Sequence, residues 1–197
     1  ATRVAPLVNL TLALQPVKLA LDGMLAIDYR RTFPAYATRT FERWYKEELT
    51  EASQEAFAHH VSYFHGCYVN YNYPQLGKDL VTILNAIGYG VHLLDDEHCC
   101  GVALISNGLI DKARRQGTRN IASIRRSIEE EDRTVLATSS TCAFTLRDEY
   151  PHLLGIANTD VRDRIELATR FLYRLIEEQQ IQLVFKPGYQ KQVAYHT

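Results

Sequence analysis

From residue 61 onward, short β-prone runs alternate with amphipathic helical segments, and this order constrains the fold more than any other feature. The runs lie at about 61–65, 91–94 and 134–138, with helical spacing of apolar residues at 74–86 and 106–129 between them. Because strands joined through helices pair in parallel with right-handed crossovers, this order predicts a parallel sheet. A further helix is predicted over about 160–179. We therefore expect an α/β fold, with a Rossmann-like parallel sheet and flanking helices.

The first 60 residues have a different, mainly helical pattern. Apolar residues recur every three or four positions from Leu7 to Met24, and Pro6 and Pro16 predict interruptions of that helix. A second helix is predicted over about 39–57. We interpret the apolar stripe as packing on the core of its own chain rather than on a membrane surface or a partner. The expected organisation is a helical linker segment at 1–60 and a cysteine-rich domain at 61–197.

Charge and hydropathy exclude two classes of protein. The 197 residues include 22 basic and 23 acidic side chains, which gives a net charge of −1. This balance excludes a nucleic-acid binder that works through bulk positive charge. No run of 18 or more apolar residues occurs, so no membrane-spanning segment is predicted. The N-terminal residues also lack the pattern of a secretory signal, which favours a reducing compartment for the cysteines.

The four cysteines all follow predicted strands. Cys67 comes after the first strand, Cys99 and Cys100 after the second, and Cys142 after the third. Loops at the carboxyl ends of parallel strands share one edge of the sheet, where such folds bind ligands. We therefore expect the four thiols to converge on a single metal site, although buried core cysteines are a common alternative.

The spacing of the cysteines helps to distinguish an iron–sulfur cluster from a zinc ion. Four thiolates hold either an iron–sulfur cluster or a tetrahedral zinc ion. Zinc sites favour pairs of ligands two to four residues apart, and no two of these cysteines have that spacing. Adjacent ligands at Cys99 and Cys100 suit a cluster of several metal atoms better. Gly101 fits either site, because it lets the backbone approach a bulky group closely.

The cysteine pattern resembles a known family. Cys67, then Cys99-Cys100-Gly101, then Ser139-Ser-Thr-Cys142 is similar to the CCG domain of heterodisulfide reductase B subunits. The stretches beginning at Phe64, Cys99 and Thr138 further resemble the iron–sulfur subunits of bacterial anaerobic glycerol-3-phosphate dehydrogenases. This likeness covers most of the chain and is specific at the cysteines.

The resemblance implies an electron-transfer subunit. Such a subunit holds an iron–sulfur cluster, here expected to be [4Fe–4S] on Cys67, Cys99, Cys100 and Cys142, and has no catalytic residues of its own. It carries electrons from flavin-bearing partner subunits to membrane quinone, as a peripheral protein on the cytoplasmic face of the inner membrane. The alternative is a metal-free or zinc-stabilised domain that holds partner subunits together. No nucleic-acid partner is expected.

The resemblance also implies that this chain is part of a longer protein. The family's ferredoxin-like N-terminal segment and its second CCG module are not recognisable, and the cluster can be absent from such a fragment. The run Val193–Thr197 echoes Val61–His65, as if a second module began there. An apolar surface meant for the second module would then favour self-association of the fragment.

A serine, two histidines and an acidic run near the cysteines also need interpretation. Where the family has a fifth cysteine, this chain has Ser139, which we interpret as a loop or helix-cap residue. His65 and His98 each neighbour a cysteine and are either donors to cluster sulfur or ordinary loop residues. The acidic run Asp95–Glu97 is interpreted as a solvated loop rather than a site for a hard metal.

Overall fold

The computed structural model describes residues 4–182, and within them four strands form one parallel sheet. The strands are β1 (His59–Phe64), β2 (Tyr89–Leu93), β3 (Thr134–Ala137) and β4 (Ile165–Leu167). Their order is β2-β1-β3-β4, so that β1 is paired on both sides. Val61 lies opposite Val91 in β2 and opposite Thr134 in β3. The predicted α/β fold with a parallel sheet is confirmed.

Helices precede the sheet and connect its strands. In the described part of the chain the α-helices are α1 (Ala5–Ala13), α2 (Gln15–Leu25), α3 (Phe41–Glu48), α4 (Glu51–Glu55), α5 (Gly66–Tyr71), α6 (Pro74–Ala86), α7 (Val102–Ser106), α8 (Ile110–Glu129), α9 (Ser140–Phe144) and α10 (Ala168–Glu177). A π-helical segment, Thr145–Leu154, continues directly from α9, and a short 3-10 turn, Arg162–Arg164, precedes β4.

Both faces of the sheet are covered by helices. Successive residues of β1 point to opposite faces and therefore contribute to two separate clusters. On one face Val61 and Tyr63 pack with Phe41 of α3 and with residues of α6 and α10. On the other face Phe64 packs with α8 and with the π-helical segment. Phe41 is fully buried, so part of the predicted linker segment enters the core of the sheet. The division of the chain at residue 60 stays a prediction.

The predicted helix at 74–86 is confirmed, but three other helix predictions need correction. The segment 39–57 divides into α3 and α4, and Thr50 caps the second helix by accepting from the Ser53 backbone N–H. The helix predicted at 106–129 begins only at Ile110, because Ser106 is the last residue of α7 and Gly108, with a φ of +73°, lies between the two helices. The segment 160–179 contains β4, which completes the sheet before α10 starts.

The expected burial of the N-terminal apolar stripe is wrong for the described structure. Leu7 and Leu10 of α1 are 65% and 62% exposed, and Met24 of α2 is 80% exposed. Ala5 is the buried residue of α1, and α2 contributes none. Helix α1 is instead attached to the rest of the chain through Asn9, whose side chain exchanges two hydrogen bonds with the Tyr36 backbone.

Two further expectations from the sequence concern membrane-spanning segments and the run Val193–Thr197. Among the helices within residues 4–182, none combines the length and apolar character needed to cross a bilayer. The run Val193–Thr197, interpreted from the sequence as the start of a second module, lies outside the described residues.

Substitution of Gly77 in α6 tests how tightly α3 packs against α6. A Cβ atom at Gly77 would lie 2.6 Å from the Phe41 ring and 2.9 Å from Val69. We expect Gly77→Ala to lower the free energy of unfolding by about 1–3 kcal/mol, because the overlap outweighs the gain in helix propensity. Urea unfolding measures this change.

The matched control is Gly23→Ala in α2, where an added Cβ meets nothing within 4 Å. This substitution is expected to leave stability unchanged or to raise it by up to about 1 kcal/mol. Equal unfolding midpoints for the two variants would contradict the packing described for α3 and α6.

Candidate metal centre

The structure places all four cysteines at the carboxyl edge of the sheet. Cys67 lies in α5, directly after β1, and Cys142 lies in α9, directly after β3. Cys99 and Cys100 lie in the loop between β2 and α7. Because β1 pairs in parallel with β2 and β3, these three segments leave the same edge side by side.

The thiols meet in one cluster. The sulfur atoms of Cys67 and Cys99 are 3.7 Å apart. The Cys100 thiol lies beside those of Cys99 and Cys142, so the four side chains form one group. None of them forms a disulfide. Cys67 is exposed, whereas Cys100 is 1% exposed, so the cluster has one side towards solvent and one side towards the core.

The contacts between the sulfurs separate the four thiols into two kinds. Interaction with Cys100 and Cys67 lowers the pKa of Cys99, and interaction with Cys100 lowers the pKa of Cys142. The pKa values of Cys67 and Cys100 are raised, by Cys99 beside Cys67, by Cys142 and Cys99 beside Cys100, and by the loss of solvation at both. The thiolate is the metal-binding form, so a cation in this cluster would stabilise the charge that these neighbours otherwise disfavour.

Two glycines let the backbone bring the cysteines together. Gly66 has a φ of +69°, and a Cβ atom there would lie 3.4 Å from the Cys142 sulfur. Gly101 has a φ of +88° and precedes α7. Both conformations favour glycine, so side chains at these positions would strain the segments that carry Cys67 and Cys100.

A buried polar pair fixes the loop that carries Cys99 and Cys100. Asn120 of α8 donates from its amide nitrogen to the Cys99 carbonyl and to the Tyr150 hydroxyl, and its Oδ1 accepts from the His98 backbone N–H. The Tyr150 hydroxyl in turn donates to the Cys100 carbonyl at 2.9 Å. Both side chains are at most 1% exposed. Sequence reasoning missed this pair, since neither residue stands near a cysteine in the chain.

Glu97 holds the turn before Cys67, and its placement corrects the solvated-loop interpretation. Its side chain is 6% exposed and accepts hydrogen bonds from the backbone N–H groups of His65 and Gly66. Burial raises the pKa of Glu97 to about 8, against the lowering effect of those two N–H donors. Asp96, in contrast, is paired with Arg119 at the surface. The carboxylate of Glu97 therefore joins the β2 loop to the β1 loop.

The other open positions, Ser139 and the two histidines, have defined contacts. Ser139 is the N-cap of α9, and its hydroxyl accepts from the Cys142 backbone N–H, as interpreted from the sequence. His65 is buried beside Phe41, and its Nδ1 is 3.1 Å from both the Gly66 carbonyl and Glu97. His98 is 3.2 Å from Asp96. The contacts of both histidines are thus with oxygen atoms of the loops.

The donor set fits a thiolate-bound metal group. Four sulfurs from three loops converge, while the hydroxyl of Ser139 is used as a helix cap. Sulfur ligands suit iron–sulfur clusters and zinc rather than hard cations such as magnesium. The assignment of these four cysteines as metal ligands stays a prediction.

Removing the Asn120 side chain tests the loop geometry. Asn120→Ala leaves the His98 N–H and the Cys99 carbonyl without their partner, so we expect about 1–3 kcal/mol less stability. We also expect Cys99 and Cys100 to react faster with a thiol reagent, because the loop loses its link to α8. Urea unfolding and the rate of thiol modification measure the two effects.

Asn107→Ala serves as the control, since Asn107 is exposed and donates only to a carbonyl one turn away in its own helix. Thiol reaction rates that are the same in Asn120→Ala and in the parent protein would show that the loop does not depend on this contact.

The chain is similar to several known proteins. Residues 61–147 match the family described as CCG, cysteine-rich domain. Over all 197 residues the chain is 52% identical to the C subunit of anaerobic glycerol-3-phosphate dehydrogenase from Escherichia coli strain K12, of which it covers 49%. The chain thus spans about half the length of that relative. No solved structure matches it.

More distant relatives come from methane-producing archaea. The B subunit of the CoM/CoB fumarate reductase of Methanothermobacter marburgensis is 33% identical over 91 residues, which are 46% of this chain and 18% of that protein. The D subunit of the dihydromethanophenazine:CoB–CoM heterodisulfide reductase of Methanosarcina barkeri is 28% identical over 140 residues, 69% of this chain and 32% of that protein. Both names describe parts of reductases. Residues 61–147 are thus similar to the cysteine-rich domain of the CCG family, and the chain as a whole is similar to the C subunit of anaerobic glycerol-3-phosphate dehydrogenase.

Proposed function

We propose that this chain binds an iron–sulfur cluster through Cys67, Cys99, Cys100 and Cys142 and transfers electrons within an anaerobic glycerol-3-phosphate dehydrogenase complex. The observation that carries the proposal is the convergence of four thiols from three separate strand ends. A cluster bound there supplies reversible one-electron transfer. We expect the [4Fe–4S] type, for which four thiolates are sufficient.

The surroundings of the thiols support an electron-transfer role. Cys67 is exposed and Cys100 is buried, so a group held between them would be shielded by protein and still lie near the surface. The Asn120–Tyr150 pair and Glu97 would keep the ligand loops in place as the charge of the group changes. Rigid loops suit electron transfer, because they keep the rearrangement that accompanies a change of oxidation state small.

The partners are proposed from the similarity along the whole chain. The relative from Escherichia coli is named as part of anaerobic glycerol-3-phosphate dehydrogenase. We propose that this chain likewise works beside flavin-bearing subunits and passes their electrons to membrane quinone. Its place would be peripheral, on the cytoplasmic face of the inner membrane. In this proposal the chemistry on the substrate belongs to the partner subunits, and this chain contributes no catalytic residue.

One distance supports a second candidate, a structural zinc site. Zinc–sulfur bonds of about 2.3 Å place the sulfurs of a tetrahedral site about 3.8 Å apart. The sulfurs of Cys67 and Cys99 are 3.7 Å apart, which is close to that value. A zinc ion would tie the three loops together and leave the domain with an interaction role rather than electron transfer.

Single substitutions of the cysteine pair test the ligand assignment. We expect Cys99→Ser and Cys100→Ser to lose cluster incorporation, because a hydroxyl is deprotonated less readily than a thiol and is a harder ligand. Ser139→Cys is expected to retain incorporation, since it adds a thiol beside Cys142 and removes only a helix cap. The measurement is iron counting with EPR after anaerobic reconstitution.

Ser140→Ala is a suitable control, because Ser140 is an exposed residue in the same turn of α9. If Cys99→Ser and Cys100→Ser bind as much iron as the parent and the control, the pair is structural and the electron-transfer proposal fails. One zinc per chain, lost in both cysteine variants, would establish the second candidate instead.

A further inference from the structure

A second group of metal-ligating side chains lies away from the cysteines. Glu55 ends α4, His60 is the second residue of β1, and His92 lies in β2. Each offers one ligand atom, and the three atoms lie within 4.8 Å of one another. We propose that Glu55, His60 and His92 form a binding site for a divalent transition-metal ion of the zinc class.

The two histidines already have the spacing that such an ion requires. His60 Nδ1 and His92 Nε2 are 3.1 Å apart. Zinc–nitrogen bonds of about 2.0–2.1 Å place two ligands of a tetrahedral ion about 3.4 Å apart. A small movement therefore replaces the hydrogen bond between the rings with two metal–nitrogen bonds.

Glu55 supplies the third ligand. Its carboxylate lies 3.6 Å from His92 Nδ1 and 4.0 Å from His60 Nε2, which are not the nitrogens of the His60–His92 contact, and one ligand atom of each of the three residues lies within 4.8 Å of the others. Its side chain is 46% exposed, so the carboxylate can rotate towards an ion without disturbing the core. Two imidazoles and one carboxylate are a ligand set that suits zinc and leaves a fourth position for water.

The charges around the site permit a cation. Arg133 is 2.8 Å from Glu55 Oε1, which places a positive group beside the carboxylate. The same guanidinium is 2.9 Å from Glu131, so its charge is shared by two carboxylates. Glu55 Oε2 is left for the ion. The His92 ring is 5% exposed, and its burial favours the neutral imidazole that binds metals.

The fold provides room for the site. A Cβ atom at Gly90 would overlap the Gln54 carbonyl and lie 3.0 Å from His60 Nδ1. The absence of a side chain at Gly90 therefore lets the His60 ring and the end of α4 meet above β2. His92 and Arg133 also line a polar cavity of about 170 Å³, which has space for a water molecule or a small ligand of the ion.

This site is separate from the cysteine cluster. His60 is near the start of β1, and the cysteines lie beyond its end. At about 3.3 Å per strand residue, the four steps from His60 to Phe64 alone span about 13 Å. The two sites therefore bind metal independently, and the proposal does not rest on the iron–sulfur assignment.

The test is an anaerobic cobalt(II) titration of the reduced chain, followed by absorption spectroscopy. Thiolate ligands give cobalt an intense sulfur-to-metal band in the near ultraviolet, and nitrogen and oxygen ligands do not. We expect the parent to bind one cobalt equivalent at the cysteines, with that band, and a second at Glu55, His60 and His92, without it. In His60→Gln and in Glu55→Gln the second equivalent should bind roughly 100-fold more weakly, while the sulfur band of the first is retained.

His59→Gln is the matched control, because His59 is the exposed neighbour of His60 and stacks on Tyr89 instead. Two variants are used so that the test still decides if one of them fails to fold. Glu55 is the more exposed of the two positions, so its substitution disturbs the packing less. The proposal is overturned if the parent, His60→Gln and Glu55→Gln bind the same number of cobalt equivalents with the same affinity.

Discussion

The parallel pairing of β1 with both β2 and β3 is the constraint on which the candidate metal centre depends. It makes three chain segments leave the same edge of the sheet side by side. Thiols far apart in the sequence are thereby brought into contact. An antiparallel partner on either side of β1 would have sent its following loop to the opposite edge. The same pairing brings His60 and His92 together towards the other end of β1.

Pairing alone does not give the loops their shape, and buried polar contacts complete the site. Asn120 and Tyr150 hold the carbonyls of Cys99 and Cys100, and Glu97 holds the N–H groups of the turn before Cys67. Buried polar groups are costly unless they are satisfied, so each of these side chains favours one loop conformation strongly. These side chains therefore fix the backbone that carries the cysteines, and none of them is hydrogen-bonded to a sulfur atom.

Much of this arrangement follows from the sequence, and the exceptions have physical reasons. The strand–helix alternation predicts β1 to β3 and the common edge of the cysteines. It misses β4, because three residues within a periodic apolar run look like one turn of helix. It misses the role of Glu97, because three consecutive acidic residues are typical of a solvated loop. The exposed stripe of α1 and α2 shows that helical periodicity predicts an apolar face but not what covers it.

Mössbauer spectroscopy of protein expressed with ⁵⁷Fe and purified without oxygen, together with its iron and zinc content, identifies the group that the four cysteines bind. We expect about four irons per chain with the spectrum of a [4Fe–4S] cluster ligated by sulfur. One zinc per chain with no cluster iron would contradict this expectation and would make the cysteine site structural.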